Sequence, residues 1–268
     1  MKALVAARFL HDGRRSASWW ALGMIGLVAF TVAFYPSVKG NASFDELFKD
    51  LPDTVRALVG AQEGVPLTSP PGYLHARLFS IMVPVLLITF GIGLGARAIG
   101  GGEADGTLEL LLANPVTRLR VVAERYLAVV LLLAAVTVAM SLSLLALAPL
   151  VGLLGGISIG RLLAVGAAAL CLALLHATLA FGAGCAAGRP GPAVAVSTSV
   201  VTAGYLLQGL AATSDVLGPV ANLSPWHWYL DRNILVDGLA PAAVVAPVLV
   251  AALLFAAGAW VFNRRDLH

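Results

Sequence analysis

The chain has 268 residues, of which 59% are hydrophobic and 12% charged, with a mean hydropathy of +0.91 and a formal net charge of +3. A soluble domain carries about 25% charged residues. A single soluble core could not hide this much apolar surface, so an integral membrane protein is the class that remains.

Residues 1–16 read as a basic amphipathic lead, with Leu4, Val5, Ala7 and Phe9 beside Lys2, Arg8, Arg14 and Arg15. Such a helix can lie at lipid headgroups or touch a cytosolic partner, or it can simply anchor the inside end of the first span. The apolar run that follows, Ser18 to Tyr35, is longer than a signal-peptide core of about 7–15 residues and has no small-x-small cleavage site after it. It reads as a retained first transmembrane helix.

Six spans are expected, at roughly 18–36, 74–96, 122–148, 162–187, 193–212 and 242–262. Each is long enough to cross about 30 Å of hydrocarbon. With the N-terminus inside, eleven of the seventeen Lys and Arg residues fall on the inner side and six on the outer. The positive-inside rule therefore puts both termini in the cytoplasm. The fold class is an all-α membrane protein, one domain over 1–268, with a cytoplasmic loop at 97–121 and extracytoplasmic segments at 37–73 and 213–241.

The first outer segment has Phe44, Leu47, Phe48, Leu51, Val55, Leu58 and Val59 on one helical stripe, with Ser43 and Glu46 as a capping box. A small helical cap is expected there. Span two ends Gly91-Ile-Gly93-Leu-Gly95-Ala96, a formal dinucleotide fingerprint. That motif needs a preceding strand, and glycines at this depth serve close helix packing instead. Gly156-Ile-Ser158-Ile-Gly160 matches the nucleophile elbow but sits in a short outer loop, without the strand-to-helix turn the chemistry requires.

Polar residues inside the spans are candidates for a substrate path: Thr137 and Ser141 in span three, His176 in span four, and Ser199, Thr202 and Gln208 in span five. Each could equally hydrogen-bond a neighbouring helix. No Asp or Glu lies well inside a span, which argues against a proton-coupled carrier. The chain has no G-x-x-x-x-G-K-[ST] loop, so any ATP must be hydrolysed on another chain. The two cysteines, Cys171 and Cys185, stand roughly 21 Å apart on a helix, which excludes a disulfide or a cysteine-based metal site. Pro225-Trp226-His227-Trp228-Tyr229, before the last span, reads as an interfacial aromatic belt or as a gate that turns back into the membrane.

The stretch from Gly100 to Arg125 is the strongest signal. It holds the seven charges Glu103, Asp105, Glu109, Arg118, Arg120, Glu124 and Arg125. At mid-bilayer these would cost roughly 17–25 kcal/mol, so the segment stays out of the hydrocarbon core. A helix from Glu103 to Ala113 places Ala104, Leu108, Leu111 and Leu112 on one face. Its early acids suit the N-terminal dipole, Asn114-Pro115 ends it, and Thr117 caps the helix that becomes span three. Docking a cytosolic partner and anchoring the bundle are equally served by this pattern.

The run Glu103-Ala-Asp-Gly106-Thr107-Leu108-Glu109-Leu-Leu-Leu-Ala-Asn-Pro115-Val-Thr-Arg118 resembles the signature of ABC-2 type transporter permeases. The similarity extends to the basic N-terminal helix and to Ser224-Pro225 before the last span. It implies the membrane subunit of an ATP-driven exporter in a bacterial cell membrane, a homodimer or pseudo-dimer bound to two ABC-type ATPase subunits that hold ATP and Mg. The chain itself would bind no cofactor and have no nucleic-acid partner. The resemblance makes 103–113 the coupling helix. Glu103, Gly106, Thr107, Glu109, Pro115 and Arg118 carry over from the motif, and Leu108 and Leu112 belong to the helix face. Gly188-Arg189-Pro190-Gly191-Pro192 would be a second contact. The alternative is a membrane scaffold or maturation factor that uses the same helix to dock a cytosolic protein.

Overall fold

Helix after helix in this chain begins at a side chain that caps it. Ser69, Thr117, Ser158, Ser224 and Asn233 each accept a hydrogen bond from a backbone N–H two or three residues on, satisfying one of the donors a helix start leaves unpaired. Ser158 is thereby given a structural role as the cap that starts a membrane helix, at the centre of the apparent nucleophile motif.

The structure, a computed structural model, describes residues 4–41, 55, 64–113, 115–211 and 218–265. The amphipathic stripe expected over Phe44–Val59 lies outside them, Val55 apart, and so does Asn114. Among the described residues there is helix and no strand. We number the main helices α1 (Leu4–Phe34), α2 (Met82–Ala96), α3 (Thr107–Leu112), α4 (Arg118–Leu147), α5 (Ile159–Ala187), α6 (Pro190–Ala211), α7 (Pro225–Leu230) and α8 (Ala242–Arg264). Among the described residues, six helical stretches are long and apolar enough to cross a membrane: Val5–Ser37, Pro70–Ala104, Arg118–Val151, Ile159–Ala187, Pro190–Ala211 and Ala242–Arg264. The chain is an all-α, multi-pass membrane protein.

Two boundaries differ from expectation. The basic lead is not a separate surface helix: α1 runs unbroken for 31 residues. Gly13 does not break it, because it packs against Leu132 of α4, where a Cβ would lie 2.6 Å from a Leu132 methyl. The backbone N–H of Ala6 also donates to Glu124 of α4 at 3.1 Å. Span two is longer than expected, running from Pro70 to Ala104, with one π-helical turn inside the expected bounds at His75–Phe79 and another beyond them at Arg97–Gly101.

α5 is the central helix. It packs against α2, α8, α6 and α4, while α1 lies along the outer side of α4. Lipid is as apolar as leucine, so helices here gain little by hiding large side chains and much by close approach of small ones. The faces follow that rule. Gly91 and Gly95 of α2 lie on Ala173 and Ala177 of α5, and Gly182 of α5 meets Gly258 of α8. Leu22, Phe30, Leu131, Leu142, Leu163, Leu249 and Leu253 point outward.

The segment before α8 folds back into the bundle. Trp226 and Tyr229 of α7 are buried, so the belt reading fails for both. The Trp226 indole donates to the Val201 carbonyl at 3.1 Å, and Ser224 to that of Gly204 at 3.1 Å. Those carbonyls lie about 10–15 Å short of the end of α6 along its axis. The Tyr229 hydroxyl donates to the carbonyl of Phe79 at 2.7 Å. Burial pushes that phenol above its ordinary value.

Candidate coupling surface and substrate path

The loop between the second and third spans leaves α2 through the Arg97–Gly101 π turn. The expected helix over 103–113 is not continuous. A single turn, Gly102–Ala104, is followed by Asp105-Gly106 and then α3. The break is at Gly106, whose φ of 68° is left-handed and accessible without strain only to glycine. Thr107 steadies the turn by donating to the Gly102 carbonyl at 3.1 Å.

The break reorients the apolar face. Leu108 is fully buried, Leu111 and Leu112 are half-buried, and all three pack on the core, whereas Ala104 is exposed. Glu109 points outward beside Leu110, which is 74% exposed. Pro115 is exposed past the end of α3. The loop therefore presents a short ridge of Glu109 and Leu110 seated on a buried Leu108.

Two residues of the motif point the other way. Glu103 is ion-paired with Arg265 at the end of α8, and Arg118 donates to the carbonyls of Phe262 at 3.3 Å and Arg265 at 2.6 Å. Arg125 donates to the Ala98 carbonyl at 2.6 Å, and Glu124 accepts from Arg120 at 2.7 Å. Sequence reading left Arg265, Arg125 and Glu124 unassigned. Arg265 stands 162 residues from Glu103, and no local pattern links them.

The six polar path candidates do not converge. Thr137 is buried and donates to the Leu133 carbonyl at 3.0 Å. Ser141 is buried against Gly166, where a Cβ would lie 2.8 Å from its hydroxyl. His176 is fully enclosed, with Nδ1 2.8 Å from the Leu172 carbonyl and Nε2 lacking a hydrogen-bond partner. Ser199 and Thr202 are exposed on α6, and Gln208 is half-buried with its carbonyl oxygen enclosed and unpaired. Thr137, Ser141 and His176 are thus buried inside this chain's own bundle, whereas Ser199 and Thr202 are exposed on its outside. An apolar groove of about 320 Å³, lined by Trp19, Trp20, Gly23, Met24 and Leu86, contains none of the six.

A search of curated proteins returned no match. A family model described as ABC-2 family transporter protein matches residues 4–267. Six apolar spans, the loop motif between the second and third, and a family match over nearly the whole length agree: the chain belongs to the ABC-2 family and is a permease of the ABC-transporter class.

Proposed function

We propose that this permease is the membrane subunit of an ATP-driven exporter in a bacterial cell membrane. It docks through α3 onto a separate cytosolic ABC-type ATPase, which holds the ATP and Mg. The observation that carries the reading is the Glu109–Leu110 ridge. Leu110 is 74% exposed on a helix whose other leucines pack on the core of the bundle. An exposed leucine on a rigid, charged-flanked turn outside the hydrocarbon suits insertion into a protein groove better than contact with water. The excess of Lys and Arg at the end carrying both termini supports placing the ridge in the cytosol.

Two permeases and two ATPases form the working unit in this reading. The exposed side of α6, with Thr198, Ser199 and Thr202 among Val194, Val196 and Val200, faces the translocation path where two copies meet. Hydroxyls in an apolar wall favour an amphipathic or apolar substrate. Thr137, Ser141 and His176 lie buried in α4 and α5 behind that wall.

The test is purification of the tagged full chain from its native membrane. A retained subunit with a P-loop, lost on Leu110→Asp, is the expected result. A partner without a P-loop would sink the reading. Direction is read from inside-out vesicles: ATP-dependent uptake supports export, and ATP-dependent release contradicts it.

A further inference from the structure

The 97–118 loop is bound to more than the helix it leads into. Glu103 has 10% of its side chain exposed, and its partner Arg265 has 23%. Arg265 donates a second N–H to the Ala186 carbonyl at 3.1 Å. That carbonyl is in the last turn of α5, where carbonyls have no partner within their own helix. Arg118, at the first turn of α4, closes the other side on the carbonyls of Phe262 and Arg265. One arginine thus links the loop, the end of α5 and the end of α8.

The surroundings are shaped to admit this link. Gly188, just after α5, has a φ of +65°, and a Cβ there would lie 2.6 Å from a Glu103 carboxylate oxygen and 2.7 Å from Arg265 Nη1. Gly100 rests on the same turn, where a Cβ would lie 2.8 Å from the carbonyl carbon of Arg189. The planar guanidinium fork serves two acceptors on different elements at once, which an ammonium cannot do in the same geometry.

We propose that Arg265 is the positioning residue through which displacement of the 103–113 loop reaches the ends of α5 and α8. The source of that displacement rests on the docking reading above. Glu103 lies three residues before the Gly106 turn that starts α3, so a shift of α3 pulls on Glu103. Glu103 pulls on Arg265, and Arg265 draws α5 and α8 with it. Since α2, α4, α6 and α8 all pack on α5, movement there reaches the whole bundle. The covalent route through Pro115 enters α4 and, through Arg118, the end of α8, without the hydrogen bond to Ala186 at the end of α5.

Hydrogen exchange on the full chain in lipid nanodiscs gives the first readout. Arg265→Ala is expected to speed exchange of amides in 103–113 and 184–190 by roughly tenfold to a hundredfold, as loss of a charge-assisted hydrogen-bond pair implies. The swap Glu103→Arg with Arg265→Glu restores protection in 103–113. Arg265→Lys restores it there but leaves 184–190 fast. Unchanged exchange in Arg265→Ala, or a monodisperse swap variant that restores nothing, overturns the link. The second readout uses the complex with its ATPase. ATP plus vanadate should alter exchange at 184–190 in the wild type but not in an Arg265→Ala complex that keeps its ATPase and hydrolyses ATP. If that complex still transmits the change, the transmission role is overturned with docking intact. If the wild type retains no ATPase, docking fails at the purification step and the proposal falls with it.

Discussion

Gly95 of α2 lies directly on the Ala177 carbonyl of α5: a Cβ at position 95 would overlap that oxygen and crowd the Phe181 amide. The two helices are in backbone contact there. One turn earlier Gly91 repeats the approach, with a Cβ landing 3.0 Å from that of Ala177. Gly93, between them, has nothing within 4 Å of its added Cβ.

The contrast gives a first prediction. Gly95→Ala should lower stability in detergent by roughly 1–3 kcal/mol, the range for overpacking a tight contact. Gly93→Ala should be neutral or slightly stabilising, because alanine favours helix by about 1 kcal/mol. Thermal unfolding followed by tryptophan fluorescence separates them; equal losses would contradict backbone contact at Gly95.

Leu108 and Leu110 are two residues apart and opposite in burial, 0% against 74% exposed. Leu108→Ala should cost about 2–5 kcal/mol through the cavity it leaves. Leu110→Ala should stay within about 0.5 kcal/mol of wild type, as exposed substitutions do. Leu110→Asp should leave the chain folded and remove the ATPase from the purified complex. Size-exclusion profiles and partner stoichiometry report both outcomes.

Tyr229→Phe removes the hydroxyl that bonds the Phe79 carbonyl and should cost roughly 0.5–1.5 kcal/mol. The pH dependence is a sharper signature. Burial raises the folded-state value of this phenol above the ordinary value of about 10. Below pH ~10 the phenol is protonated folded or unfolded, and its contribution is fully present. Above that, the unfolded chain releases a proton the folded one keeps, so stability falls as pH rises. Tyr229→Phe should show a shallower alkaline fall, measured as the unfolding midpoint between about pH 9 and 11. Parallel profiles for the two proteins would count against enclosure of Tyr229.

Gly106→Ala should strain the left-handed turn by roughly 1–2 kcal/mol. The loss should be local, because a Cβ at that site meets nothing within 4 Å. Faster hydrogen exchange confined to 102–112, with an unchanged global midpoint, is the expected pattern. Cooperative unfolding of the whole chain at lower temperature would show that the loop is not a separable unit.

Much of this protein is legible from residues taken in order. Span number, the Thr117 cap and the packing role of Gly91 and Gly95 follow from hydropathy and local geometry. These properties accumulate along the chain and need no knowledge of distant partners. The loop motif carried the family in the same way, and the match over residues 4–267 agrees with it.

Tertiary structure decided which way each residue points. Glu103 and Glu109 are both acids of one motif, yet one is held inward by Arg265 and the other faces out. His176 and Ser199 are both polar residues in apolar spans, yet one is sealed in α5 and the other exposed on α6. Trp226 and Tyr229 match a surface belt in composition and are buried because carbonyls of Val201 and Phe79 lie within reach. The physical reason is common to all three. A side chain's role in a lipid-embedded bundle depends on which neighbouring elements the packing brings over it, and those come from elsewhere in the chain.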